Sequence, residues 1–384
     1  MGNERREDRV RVTDQDRILG CLLGGAIGDA LGAPVEFWSR AQIEAKCGPG
    51  GVQEYLPVAF DGPPQKGLIT DDTQMTLFTC EGLMRAHMRG MTRGMCHPAG
   101  VVHYAYQRWL ETQERDAPRR FAPDEYGGDH RGWLVEELWL YSRRAPGKTC
   151  LTALEALRGG GFESAADNDS KGCGGVMRSA PFGLYRELFD AVGAAVECAG
   201  ITHGHRTGQL ASGAFARMIQ VVFDGRSLES AVDAALEWLE DQDGKDATVQ
   251  ALQAAVRAAQ SGPPTWQAVE SLGGGWIAEE ALAIGVYCAL VHQEEDELRK
   301  ALSLAVSHTG DSDSTGSICG NLLGTLHGVD ALPQDLLAEL EGRETIEQVG
   351  RDMAVFVETP ERVIEEDRVD RHGGHVWWDR YPGC

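Results

Sequence analysis

Apolar residues recur at spacings of three and four along most of the chain, which is the period of an amphipathic α-helix. Leu302, Ala305 and Val306, for example, share one face of a helical segment. Segments such as AVDAALEWLE and ALQAAVRAAQ are rich in strong helix formers. Runs with the two-residue period of a β-strand are scarce and short. The pattern therefore predicts an all-α fold, a compact single-domain bundle of many helices.

Each predicted helix is a stretch over which the apolar period persists. These stretches are residues 15–30, 72–89, 99–113, 132–142, 149–157, 187–200, 206–223, 228–240, 247–260, 277–291, 295–307, 315–327 and 343–357. The intervening segments that are rich in Gly, Pro or polar residues are predicted to be loops. They are residues 48–67, 117–128 and 159–169.

The periodic region predicts the domain boundaries. We expect a polar N-terminal arm at residues 1–14, one helical domain at 15–360 and a C-terminal tail at 361–384. The tail is polar but contains two tryptophans and a tyrosine, so we expect it to pack back onto the domain.

Composition and charge exclude several classes of function. The chain has 384 residues, enough to bury a large core, and 59 acidic against 36 basic residues give a net charge of −23. This charge opposes generic binding to nucleic acids or anionic membranes, although a nucleic-acid substrate is not excluded. The ten cysteines include no CxxC pair, and the longest apolar stretch is interrupted by Asp29 and several glycines. We expect a cytoplasmic protein without a membrane partner, and a monomer.

Acidic and hydroxyl residues stand at two predicted helix starts: Thr70, Asp71 and Asp72 at the first, and Asp311, Asp313 and Ser314 at the second. Helix capping explains each set alone. The two sets are about 240 residues apart, yet helices of a bundle can bring such sets together in its core. Four carboxylates in one cavity would repel one another, and hard divalent cations prefer such oxygen ligands. Together the sets predict a site for two divalent cations.

Three further segments contain candidate functional residues. Asp29 lies in the apolar segment GDALGAPVE, where it is either a polar group of the core or part of a site, and Glu36 ends that segment. The glycines of NDSKGCGG, residues 168–175, allow a backbone to approach a ligand and to bind an anion, but an ordinary loop is the alternative. His203 and His205 lack the partners of a zinc site; both suit a helix start, and His203 is also a candidate ligand contact.

Taken in order, these motifs resemble the ADP-ribosylglycohydrolase family, and the resemblance extends from about residue 17 to residue 357. It depends on GCLLGGAIGDALG followed by Glu36, on TDDTQ, on GCGGVMRSAP, on TH at 202–203 and on GDSDSTG. TDDTQ or GDSDSTG alone is a weak signal, whereas all five motifs in this order are specific.

The resemblance implies an all-α fold, a centre of two Mg²⁺ or Mn²⁺ ions, and hydrolysis of the bond between C1″ of ADP-ribose and an acceptor. The acceptor would be a protein side chain such as arginine, or another modified target. By position, the resemblance implies that the metal ligands are Thr70, Asp71, Asp72, Asp311, Asp313 and Ser314. It implies Glu36 as the catalytic acid or base. The implied ADP-ribose-binding residues are Ser170, Lys171, Gly172, Cys173, Gly174, Gly175 and His203.

This sequence departs from the family pattern at a few positions, and two other functions stay open. Ser314 replaces the threonine of many relatives, and Lys171 and Cys173 occupy variable positions. The same oxygen ligands would also serve a two-metal nucleotide phosphoesterase, which would release phosphate or AMP instead of ADP-ribose. A non-catalytic ADP-ribose-binding protein is the other alternative, although all the implied metal ligands are retained.

Overall fold

The fold is helical throughout the part of the chain that the computed structural model describes, residues 12–114, 132–160, 165–186, 190–366 and 376–383. Within these ranges there is no β-sheet, and strand-like pairing is confined to two isolated bridges, Val58 with Gln65 and Gly172 with Ile277. The predicted all-α fold is therefore confirmed.

The helices are numbered in chain order. They are α1 (Asp14–Gly32), α2 (Arg40–Cys47), α3 (Asp71–Arg93), α4 (Pro98–Glu114), α5 (Lys148–Ala156), α6 (Ala180–Gly183), α7 (Ala191–Gly200), α8 (Arg206–Phe223), α9 (Leu228–Glu240), α10 (Asp246–Gln260), α11 (Trp266–Glu270), α12 (Ala278–Val291), α13 (Leu298–Val306), α14 (Ser312–His327), α15 (Gln334–Glu339), α16 (Arg343–Glu358), α17 (Pro360–Glu366) and α18 (Val376–Arg380). None of the described helices combines the length and the apolarity that crossing a lipid bilayer requires.

Most of the long helices lie where the apolar period predicts them. The predictions 206–223 and 228–240 match α8 and α9 to the residue. The short helices α2, α6, α11, α15, α17 and α18 were not predicted, because four to eight residues hold too few periodic positions. The predicted loop at 48–67 contains no helix, and neither does the described part of 159–169; the predicted loop at 117–128 lies outside the described residues.

The predicted helix at 132–142 is wrong. Two short 3₁₀ turns, Leu134–Glu136 and Leu138–Leu140, replace it. Thr345 on α16 accepts a hydrogen bond from the Trp139 indole at 3.1 Å, and its hydroxyl donates to the Glu137 carboxylate at 3.2 Å. These tertiary contacts hold the segment in a path that local helix preference does not indicate.

Helices α1 and α14 pack with their backbones almost in contact. Small residues every four positions on α1 face small residues on α14 in reverse order: Gly20 against Gly324, Gly24 against Gly320, Gly28 against Gly316 and Gly32 against Ser312. A Cβ atom added to Gly28 would lie 2.0 Å from the carbonyl oxygen of Gly316. The pair is thus antiparallel, and the end of α1 lies beside the start of α14.

The described part of the C-terminal tail contacts α16. The Tyr381 hydroxyl donates to Asp352 at 2.7 Å, and the Arg380 guanidinium donates to the same carboxylate at 2.8 Å. Trp377 meets the ring of Phe356 edge-on, with 5.6 Å between the ring centroids. The division of the chain at residues 14 and 360 stays a prediction; residues 1–11 lie outside the described part, and α1 already begins at Asp14.

Candidate functional site

The two acidic helix starts, far apart in sequence, meet in one cluster. Ligand oxygens of Glu36, Asp311 and Asp313 all lie within 4.8 Å of one another. Burial raises the pKa of both Asp71 and Asp72 well above the ordinary aspartate value, and the charge of Asp313 is the next largest cause for each. The starts of α3 and α14 therefore face each other, and Glu36, in the turn after α1, joins them.

The starts of α3 and α14 are capped by side chains, and the same helix starts carry acids of the cluster. Thr70 is the N-cap of α3, and its hydroxyl accepts a hydrogen bond from the backbone N–H of Asp72 at 3.3 Å. Asp311 is the N-cap of α14, and its carboxylate accepts from the N–H of Ser314 at 3.4 Å. The caps fix the first turn of each helix, and so they hold the neighbouring acids at the cluster.

Asp29 belongs to this cluster, although the sequence did not assign it there. Its carboxylate accepts hydrogen bonds from the N–H of Thr70 at 3.0 Å, the N–H of Thr73 at 3.1 Å and the Thr73 hydroxyl at 2.5 Å. Burial and then the charge of Asp313 raise the pKa of Asp29 to about 7. Asp29 therefore fixes the first turn of α3 from within α1. In the sequence, the position of this acid within the apolar run of α1 was the feature that could have indicated its role.

The cluster has the chemistry of a divalent-cation site. One carboxylate oxygen of Asp72, Oδ2, is buried and has no hydrogen-bond partner. Burial, followed by the charges of Asp313, Asp71 and Asp29, raises the pKa of Glu36 to about 9. Without a cation, the Glu36 carboxyl group therefore keeps its proton near neutral pH. An oxygen-only donor set with an unsatisfied buried carboxylate fits a hard cation such as Mg²⁺ or Mn²⁺.

The loop at 170–175 lies directly beside the cluster. The Cys173 thiol donates to Asp311 Oδ2 at 2.7 Å, and the Cys173 N–H donates to the carbonyl of Trp276 at 3.3 Å. Lys171 forms an ion pair with Glu279. The N–H of Gly172 donates to the Ser170 hydroxyl at 3.4 Å. The residues predicted to bind ADP-ribose thus adjoin those predicted to bind metal.

At two positions of this loop, Gly174 and Gly175, neighbouring residues inside the protein leave little room for a side chain. A Cβ atom at Gly174 would lie 2.8 Å from both Cys150 Sγ and His203 Cε1. One at Gly175 would lie 3.1 Å from the Cβ of Ala199. Internal packing alone explains both glycines, so their size is not a sign of a ligand.

A buried hydrogen-bond relay fixes the state of His203. Arg178 donates to the Thr202 hydroxyl at 2.7 Å, and that hydroxyl lies 2.8 Å from His203 Nδ1. The Thr202 hydroxyl thus links the Arg178 guanidinium to the His203 ring and holds that ring in one orientation. Burial and then the charge of Arg178 lower the pKa of His203 to about 3. His203 is therefore neutral, and its ring packs against the 172–174 backbone.

The other histidine of this motif has a structural role. The His205 ring accepts a hydrogen bond from the N–H of Thr207 at 3.1 Å and caps the start of α8. The relay residues Thr202 and Arg178 lie within the quoted motifs, but no spacing rule assigns them a partner.

Comparison with known proteins finds relatives that match most of the chain. The family model of ADP-ribosylglycohydrolases matches residues 11–365. The Escherichia coli (strain K12) protein YegU is 25% identical over 347 residues, which cover 85% of this chain and 92% of that protein. The ADP-ribosyl-[dinitrogen reductase] glycohydrolase of Rhodospirillum rubrum is 25% identical over 336 residues, 85% of this chain and 90% of that protein.

A solved structure described as an ADP-ribosylglycohydrolase-related protein complex has the same fold. Its TM-score is 0.60 at 25% identity, and the match covers 88% of this chain and 97% of that chain. The fold is thus that of a class of hydrolases that act on ADP-ribose linkages. The chain belongs to the ADP-ribosylglycohydrolase family.

Proposed function

We propose that the chain is a metal-dependent hydrolase that cleaves the glycosidic bond between C1″ of ADP-ribose and a protein side chain, releasing ADP-ribose. The close approach of Glu36, Asp311 and Asp313 beside the loop at 170–175 is the observation that carries this proposal. The name of the Rhodospirillum rubrum relative specifies a protein, dinitrogen reductase, as its modified target. That name supports a protein acceptor here.

We assign the binding of two Mg²⁺ or Mn²⁺ ions to Thr70, Asp71, Asp72, Asp311, Asp313 and Ser314. Their carboxylate and hydroxyl oxygens are the ligand types that these ions prefer. When bound, such ions orient sugar hydroxyls and make a nearby water more acidic. The unsatisfied Oδ2 of Asp72 supports this assignment.

Glu36 is the acid that we assign to proton transfer. It is half-buried, whereas Asp71, Asp311 and the rest of the cluster are buried, so its carboxyl group is the one placed to meet a substrate. In hydrolysis, the oxygen of water bonds to C1″ while the bond from C1″ to the acceptor atom breaks. One water proton passes to the departing acceptor, and Glu36 is positioned to accept a proton from water or to give one to the acceptor.

We assign ADP-ribose binding to Ser170, Lys171, Gly172, Cys173, Gly174, Gly175 and His203. The N–H groups of Gly172 and Cys173 already donate to Ser170 and Trp276. We therefore assign the diphosphate to the later N–H groups of the loop and to the His203 ring, whose Nε2 is the nitrogen that is not bound to Thr202.

The test is the release of free ADP-ribose from an ADP-ribosylated protein. Release should stop after exhaustive chelation and return on addition of Mg²⁺ or Mn²⁺. Asp311→Asn should abolish it with unchanged helical content, whereas Asp233→Asn, at an exposed position of α9, should not affect it. Undiminished turnover after chelation, or AMP or phosphate as the product, would overturn the proposal.

A further inference from the structure

The segment that precedes α5, residues 144–147, contacts Asp71 through two backbone groups. The carbonyl of Arg144 accepts a hydrogen bond from the N–H of Asp71 at 2.9 Å. The N–H of Gly147 donates to Asp71 Oδ2 at 3.3 Å. One of these groups therefore holds the backbone of Asp71, and the other holds its carboxylate.

The 144–147 segment contains an unfavourable backbone conformation between these two groups. Ala145 has a φ of 54°, and no other described residue except glycine has a positive φ. This left-handed conformation costs a residue with a side chain about 1–3 kcal/mol, so it persists only where surrounding contacts enforce it. Such strain is concentrated at functional sites, and here it accompanies the two bonds to Asp71.

A largely buried ion pair fixes the 144–147 segment. The guanidinium of Arg144 donates to Glu341 Oε1 at 2.5 Å, and the two side chains are 9% and 17% exposed. The other oxygen of Glu341, Oε2, accepts from the N–H of Ile69 at 3.3 Å. Glu341 therefore bonds both to this segment and to the residue two positions before Asp71, and it connects the two sides of the contact.

We propose that Gly147 is a positioning residue for the cation site, and that Arg144 and Glu341 fix the segment from which it acts. This inference rests on the proposed function, because it takes Asp71 as a ligand of the same site. A carboxylate that a hydrogen bond already holds loses less freedom when it binds a cation. Loss of such a partner typically lowers metal affinity by about 10- to 100-fold.

Two substitutions at position 147 separate the N–H from the side chain. Gly147 has a φ of −58°, which alanine and proline both adopt, and a Cβ atom there would meet only Cys150 Sγ, at 4.0 Å. Gly147→Ala keeps the N–H and should bind Mn²⁺ as the wild type does. Gly147→Pro removes the N–H, so its Mn²⁺ affinity should be about 10- to 100-fold lower. Calorimetry with Mn²⁺ alone measures the affinity, and circular dichroism shows whether each variant is folded.

A second pair of variants does not require the proline variant to fold. In Glu341→Gln, the amide has one acceptor oxygen instead of two, so either Arg144 or Ile69 loses its partner. We expect Mn²⁺ affinity to fall by about 10-fold. The control, Asp352→Asn, makes the same change in the ion pair with Arg380 of the C-terminal tail. That tail packs near the C-terminal end of α3, whereas the cluster lies at its start, so the control should bind Mn²⁺ as the wild type does.

The outcomes separate this inference from the proposed function. A selective loss of Mn²⁺ affinity in Gly147→Pro, with Gly147→Ala unchanged, supports the inference. Wild-type affinity in a folded Gly147→Pro, or an equal loss in both variants, overturns it. If the proline variant does not fold, wild-type affinity in Glu341→Gln, or an equal loss in Asp352→Asn, overturns it instead. A wild-type protein that binds Mn²⁺ but releases no ADP-ribose contradicts the proposed hydrolysis alone, and one that binds no Mn²⁺ contradicts both.

Discussion

The backbone contact between α1 and α14 predicts that Gly28→Ala destabilises the protein. The added Cβ would lie 2.0 Å from the carbonyl oxygen of Gly316 and 2.3 Å from its carbon, whereas ordinary C···O contacts are about 3.3 Å or longer. Both contacting atoms are backbone, so no side chain can move aside and the helices must separate. Overpacking of this kind costs about 1–3 kcal/mol, and alanine returns about 1 kcal/mol through its helix propensity. We expect a net loss of up to about 2 kcal/mol.

Gly90→Ala is the matched control for this change. Gly90 is also within a helix, α3, but a Cβ atom there would meet nothing within 4 Å. The same substitution should therefore stabilise the protein, by up to about 1 kcal/mol. Thermal unfolding of the two variants, followed by far-ultraviolet circular dichroism, should place their midpoints on opposite sides of the wild-type value. A Gly28→Ala midpoint at or above that of the wild type would refute the close packing of α1 on α14.

Two other substitutions test the relay and the acidic cluster. Thr202→Val removes the acceptor for Arg178 and the hydrogen-bond partner of His203 Nδ1, so we expect ADP-ribose affinity to fall by about 2- to 10-fold, with Thr202→Ser retaining it. Calorimetry measures both variants, and wild-type affinity in Thr202→Val would remove the relay from ligand binding. Asp72→Asn should raise the unfolding midpoint of the chelated protein at neutral pH, because burial and then the charge of Asp313 raise the pKa of Asp72, and a carboxyl group whose pKa is higher in the folded than in the unfolded state lowers stability above its unfolded pKa. It should also reduce the midpoint shift that Mg²⁺ produces. A full Mg²⁺ shift in Asp72→Asn would exclude Asp72 as a ligand.

The sequence predicts the helices well where local preference and burial agree, as in α8 and α9. It fails at 132–142, where Trp139 and Glu137 bond to Thr345, about 200 residues away. An apolar run shows that a segment is buried but does not name its partner, so the contacts that replaced this helix were not accessible to pattern reasoning.

In the candidate site, too, local sequence patterns identify some residues, and tertiary contacts alone identify others. Thr70 and Asp311 could be found because capping residues occur at helix starts, where their type and position are informative. Asp29 and Arg178 could not be assigned, because their roles come from contacts with residues that are remote in sequence. The role of a residue that depends on one neighbour across the core can therefore be assigned from the structure but not from the sequence.

The spacing of small residues in α1 and α14 explains why the site forms at one end of this pair. Glycines recur every four residues on one face of each helix, and this allows the two backbones to approach along their whole contact. The approach is antiparallel, so the last small residue of α1, Gly32, meets the first of α14, Ser312. Glu36 follows the first helix by four residues, and Asp311 immediately precedes the second. A larger side chain along this contact would therefore separate Glu36, the proposed catalytic residue, from the proposed metal ligands as well as loosen the core.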